Sequence, residues 1–143
     1  MNNKILPTHR CFDDALELLE QLVREDAAIA TNNTVLLVHG VVRGTVESGD
    51  VGRLAHAWLE EHRDDDSTYV WDAGLLDGQR VYFCAEVSEY YRGVRVEPDS
   101  VTRYTPRQVL EENRRSGHYG PWRPDLVALI RGRQGSPHEP PKL

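Results

Sequence analysis

The run Val35-Leu36-Leu37-Val38-His39-Gly40-Val41-Val42 constrains the fold most. It is rich in β-branched and apolar residues at both odd and even positions. A strand built from it is apolar on both faces, which predicts a largely buried strand. Three further strand signals follow at short intervals, Leu54–Glu60, Thr68–Asp72 and Gln79–Val87. Short connections between consecutive strands favour an antiparallel meander. Gly44, Gly49 and Gly52 mark Arg43–Arg53 as a loop, and Asp64-Asp65-Asp66 reads as a solvated turn.

Helical patterns flank these strands. Ala15, Leu18, Leu19, Leu22 and Val23 recur at helical spacing behind Thr8, a capping residue type. Cys11 lies four residues before Ala15 and therefore shares that apolar stripe near the helix start. Thr31-Asn32-Asn33-Thr34 breaks the helix. Beyond the strands, Glu97-Pro98-Asp99 is a turn, and Thr105-Pro106 opens a helix that runs to about Arg115 and closes at Gly117. His118–Trp122 is a compact aromatic loop, followed by the short apolar segment Leu126–Ile130. The expected fold is α+β: an N-terminal helix on an antiparallel sheet of about four strands, with one or two C-terminal helices. Residues 1–131 form a single domain in this reading, and 132–143, rich in Gly, Pro and charge, a disordered tail.

The chain has 143 residues, 39% hydrophobic and 28% charged, as in a soluble globular domain. Its net charge of −6 argues against a nucleic-acid partner or an anionic membrane surface. No apolar run approaches the roughly 20 residues that span a bilayer, and Met1-Asn2-Asn3-Lys4-Ile5 lacks a secretion signal's apolar stretch. A cytoplasmic setting is expected. There Cys11 and Cys84, the only cysteines, are free thiols. They form no Cys-x-x-Cys pair, so no structural zinc and no cofactor are expected.

Cysteine, histidine and aspartate together are the parts of an activated thiol nucleophile. Cys11 opens a helix, where unpaired N–H groups and the helix dipole favour an anion and can stabilise an oxyanion. Asp13 and Asp14 oppose this, and His9 and Arg10 partly offset them, which leaves most of the activation to an imidazole. His56 is the candidate base. It shares a strand face with Trp58, while Ala57 and Leu59 share the other. Val70 and Asp72 share a face on the next strand, so Asp72 can lie beside His56 as the orienting acid. Pairing through the Arg43–Arg53 loop is expected to bring His39 or Val41 across from His56.

Cys11 at a helix start, His56-Ala57-Trp58-Leu59-Glu60 on one strand and Trp71-Asp72 on the next together resemble the transglutaminase-like branch of the papain-like superfamily. In that branch a strand reading roughly His-x-Trp-x-Glu carries the histidine, and the next strand ends in the aspartate. The resemblance covers residues 8 to about 90 and does not extend to 97–131. It implies Cys11 as nucleophile, His56 as base, Asp72 as orienting acid and Trp58 as a ring packed near the site. Arg10-Cys11-Phe12 departs from the family's usual Cys-Trp or Gly-x-Cys. The implied activity is a thiol-dependent amide or ester hydrolase or acyltransferase, acting on a protein or peptide substrate or a small amide.

Plainer roles stand beside these. His39 is either a core imidazole or a second site histidine that binds substrate or an oxyanion. Cys84 reads as inert core, and Tyr90-Tyr91 as packing. His118, Tyr119 and Trp122 either wall a substrate pocket or form a rigid structural loop. The rival functions are a non-catalytic peptide- or ligand-binding module using Trp58, Tyr119 and Trp122, and a metal site of His39, His56 and Asp72.

Overall fold

The computed structural model describes residues 10–46 and 49–134. Helix α1 (Cys11–Glu25) and a short α2 (Ala28–Asn32) precede four strands, β1 (Val35–Val46), β2 (Gly49–His62), β3 (Thr68–Leu76) and β4 (Gln79–Glu86). Then come α3 (Val87–Gly93), a 3-10 turn at Pro98–Ser100, β5 (Thr102–Tyr104), α4 (Pro106–Ser116) and α5 (Pro124–Gln134). The architecture is α+β, with a five-stranded antiparallel sheet ordered β4-β3-β2-β1-β5. The fifth strand is only three residues long, and its sequence carries no strand pattern of its own. Among the described residues no helix is long and apolar enough to cross a membrane.

Val35–Val42 is apolar on both faces because both faces are covered. Leu37 meets α1 through a cluster with Phe12, Ala15, Leu16, Leu19, Ala57 and Leu59. On the opposite face Val38 and Val42 pack with Trp58, Val70 and Tyr90. The outer edge of β1 is also occupied. Beyond its pairing with β5, the Arg43 N–H donates to Val94 O at 2.9 Å and Val41 O accepts from the Glu97 N–H at 2.9 Å. The Val41 N–H donates to Ser100 Oγ at 2.7 Å. An edge satisfied this way offers no template for another strand.

Several boundaries differ from expectation. Arg43–Arg53 is not a loop: the β1–β2 ladder continues through it to Val46↔Gly49. The register shift after Gly44 leaves one extra residue on β2, and Gly52 (φ +83°) sits at that bulge. The glycines serve a twisted hairpin there, where they had suggested its end. The Tyr90-Tyr91 segment is helical in α3, capped by the Glu86 side chain, which accepts from the Ser88 and Glu89 N–H groups. Thr105 forms the expected cap with Pro106 and Gln108, and Gly117 closes α4 in the left-handed conformation. Helix α5 runs on to Gln134, through the expected tail boundary. The Thr8 cap, His9 and residues 135–143 lie outside the described residues.

Candidate active site

Cys11 is the first residue of α1, preceded by Arg10 as the N-cap residue, which makes no side-chain cap. By helix geometry the first-turn N–H groups have no partner within the helix. The acidic residues beside Cys11 are matched by cations. Arg10 lies 3.6 Å from Asp13 and 3.0 Å from Glu17, and Arg80, from β4, lies 3.4 Å from buried Asp14.

The β2–β3 ladder ends at Leu59↔Trp71, whereas β3 stays paired with β4 as far as Leu76. Asp72 follows Trp71 directly and His56 lies further along β2 past Leu59, where side chains rather than backbone link the two strands. His56 Nε2 and Asp72 Oδ2 are 2.8 Å apart, with both side chains nearly buried. Asp72 is itself held in place. Its Oδ1 accepts from the Ala73 N–H at 2.8 Å, and its Oδ2 accepts from the Tyr90 hydroxyl at 2.6 Å.

Burial pulls the His56 pKa down, but the charge and hydrogen bond of Asp72 and the hydrogen bond and charge of Cys11 outweigh it. The imidazole is therefore held well above its ordinary value. With Nε2 committed to Asp72, Nδ1 is the nitrogen left for the thiol. The structure thus brings Cys11, His56 and Asp72 together from α1, β2 and β3.

Trp58 lies fully buried on the His56 face, its ring centroid 6.0 Å from the imidazole. Its indole N–H donates to Glu60 Oε2 at 3.0 Å. Glu60 is a buried carboxylate that also accepts from the Tyr91 hydroxyl and, at 2.8 Å on Oε1, from Arg103. Gly40 stands opposite His56 in the ladder, and a Cβ there would come within 3.0 Å of Trp58 Cη2. Glycine at that position leaves room for the indole.

His39 is not beside His56. It pairs with Ala57, so its ring leaves the sheet on the opposite face. It is fully buried among Phe12, Tyr104 and Trp122, with ring centroids 4.8, 5.1 and 5.1 Å away. Neither ring nitrogen has a hydrogen-bond partner among the described residues. Burial, assisted by the charge of His56, lowers its pKa to about 3, so the ring is neutral. Full burial keeps His39 out of reach of a substrate in this conformation. The alternative metal set of His39, His56 and Asp72 is consequently not assembled. Among the described residues no group of three or more His, Cys, Asp and Glu side chains is placed to hold a metal ion.

The Gly117–Trp122 loop divides its roles. Trp122 packs on His39 and Tyr104, with its indole N–H donating to Ser116 Oγ at 3.0 Å. Tyr119 packs against the same cluster as Cys11. His118 is exposed and lines a cleft of about 200 Å3 with Pro121, Val127, Ile130 and Arg131. Cys84 is exposed on the edge strand β4, contrary to its expected place in the core.

Sequence reasoning missed the part played by Tyr90 and by the Glu60, Tyr91 and Arg103 group. The strand signal Gln79–Val87 hides the helix that carries the tyrosines, and nothing in the sequence linked Tyr90 to Asp72. Comparison with protein-family models, curated proteins and solved structures yields no match to this chain.

Proposed function

We propose that the protein is a thiol-dependent amide or ester hydrolase or acyltransferase. Cys11 is the nucleophile, His56 the general base and acid, and Asp72 the orienting carboxylate. The observation that carries this reading is the 2.8 Å His56–Asp72 contact on an imidazole that has Cys11 as its other polar partner. A transglutaminase-like arrangement of helix, strand and strand is part of the same proposal, with a protein, a peptide or a small amide as substrate. A cytoplasmic setting, where free thiols stay reduced, is part of the same proposal.

In this mechanism the Cys11 proton moves to His56, giving a thiolate beside an imidazolium. The sulfur attacks the substrate carbonyl carbon, forming a C–S bond and an oxyanion that first-turn N–H groups of α1 stabilise. The C–N or C–O bond then breaks as the imidazolium gives its proton to the departing amine or alcohol. Water or an amine attacks the resulting thioester with His56 as base, and the thiolate leaves.

Iodoacetamide labelling, read at each cysteine by mass spectrometry from pH 5 to 9, tests this. Cys84 is the internal reference, its thiol pushed up chiefly by desolvation. Cys11 should label at least ~10-fold faster than Cys84 at pH 6, and the excess should vanish in His56→Ala. A slow Cys11, indifferent to His56→Ala, overturns the proposal and favours the binding module.

A further inference from the structure

We propose that Tyr90 is a positioning residue that sets the proton affinity of the Asp72–His56 pair, by donating to the same carboxylate oxygen that accepts from His56. This rests on the catalytic assignment of that pair and extends it to a fourth residue, on a fourth element.

The geometry is specific. Asp72 Oδ2 receives Tyr90 Oη at 2.6 Å and His56 Nε2 at 2.8 Å, while Oδ1 takes the Ala73 N–H. Tyr90 is buried, its ring 5.5 Å from Trp58 and 6.3 Å from Tyr91 by centroid. The cap at Glu86 fixes the start of its helix, and the Val94 N–H on Tyr90 O, at 3.0 Å, fixes the end. A phenol serving only to fill space would leave its buried hydroxyl without a partner, which is costly. Here the hydroxyl ends on the carboxylate.

The consequence follows from charge. With its proton the Asp72–His56 pair is neutral overall, and without it the pair carries one negative charge. A donor on Oδ2 stabilises the more negative state more, so Tyr90 eases proton release. Burial and Asp72 hold the phenol's own pKa well above its ordinary value, so it remains a donor throughout the working range. The titratable groups facing His56 are Asp72 from β3 and Cys11 from α1, with Tyr90 from α3 reaching it through Asp72, while His39 from β1 lies on the opposite face and is coupled to it by charge alone. Of these, Tyr90 is the neutral donor able to moderate the carboxylate's pull. An imidazolium held too tightly is a poor acid toward a leaving group. Tyr90 thereby keeps a buried, carboxylate-paired imidazolium able to part with its proton.

The test is an NMR titration of the His56 Cε1–H in the full reduced chain, without substrate, assigned by the signal lost in His56→Ala. In Tyr90→Phe the midpoint should move to higher pH, and on an Asp72→Asn background the same change should have no effect. Site-specific 3,5-difluorotyrosine at position 90, a stronger donor in the same space, should move the midpoint down. That replacement carries the test alone if Tyr90→Phe fails to fold. An unmoved midpoint, a shift in the opposite sense, or a Tyr90 effect surviving in Asp72→Asn overturns the inference. Cys11 labelling separates the two proposals. Labelling indifferent to His56 defeats the nucleophile and leaves the titration result standing, whereas His56-dependent labelling with an unmoved titration defeats the role of Tyr90 alone.

Discussion

Two buried imidazoles on neighbouring strands have opposite fates. His56 and His39 both sit in the interior of one sheet, on opposite faces. His56 meets a carboxylate, a thiol and, through the carboxylate, a phenol, and its pKa is held well above the ordinary value. His39 meets three aromatic rings and a glycine, keeps both nitrogens unpaired among the described residues, and is neutral. Burial depresses both; the partner decides which way the balance falls. The faces differ in the same way. The His56 face is wired by Asp72, Tyr90, Glu60, Tyr91 and Arg103, whereas the His39 face around the imidazole is aromatic packing.

Asp72→Asn breaks the comparison most severely, because it removes the larger of the two influences that offset the burial of His56. His56 should then titrate well below its wild-type midpoint, moving toward the behaviour of His39. Any acyl-transfer activity should fall on the order of 10^4-fold, since the base loses both its orientation and its favoured tautomer. A histidine titration by NMR, alongside single-turnover kinetics once a substrate is found, checks both. An unchanged His56 titration would remove Asp72 from the site.

His39→Leu tests the other side. Unfolded His39 binds a proton near pH 6.5, and folded His39 only near 3. Between those values the unfolded chain holds more protons, so this group's stability contribution is complete above 6.5 and is lost on acidification toward 3. The full loss is of order 5 kcal/mol from the two values. His56 has the opposite sign: its folded pKa is raised, so its contribution is complete below 6.5 and is lost as pH rises through the folded value. Urea unfolding of His39→Leu from pH 7 to 4 should show a much flatter acid limb than wild type. An equally steep limb would mean that other groups carry the acid sensitivity.

The sequence made the charged face more legible than the neutral one. His56-x-Trp58 and Val70-x-Asp72 alternate with period two, so face-sharing followed from strand geometry alone, and Cys11 at a helix start supplied the third group. The antiparallel sheet and the Thr105–Gly117 helix also carried local signals. What stayed hidden depended on register or on distant segments. Whether His39 opposed His56 turned on one residue of register, and the ladder continuing through Gly44 and Gly52 set that register. Tyr90 reaches Asp72 only because α3 folds back under β3. The three residues of β5 gain strand geometry from β1 and have too little length to announce it.

Gly120→Ala is a smaller perturbation of the His39 face. The glycine has φ +110°, and a Cβ there would stand 2.7 Å from His39 Cε1, a buried ring atom with little room to yield. Strain and displacement together should cost about 2 kcal/mol in urea unfolding. Paired with His39→Leu the two costs should fall short of additive, because the clash partner is altered. Strict additivity would show that the loop, and not its contact with the imidazole, bears the strain.

Cys84→Ser should do least. Cys84 is the more exposed of the two thiols, and exposure alone would nominate it as the reactive one. Its surroundings argue otherwise: local desolvation raises its pKa, and Arg63, 3.8 Å from the sulfur, offsets this only in part. It lies on an edge strand with no imidazole among the groups that shift it. Serine at this position should change stability by less than about 0.5 kcal/mol and leave the rate and pH dependence of Cys11 labelling as they are. If labelling in the wild type instead followed Cys84, accessibility rather than the imidazolium would govern thiol chemistry in this fold, and the contrast between the two histidines would have no bearing on the nucleophile.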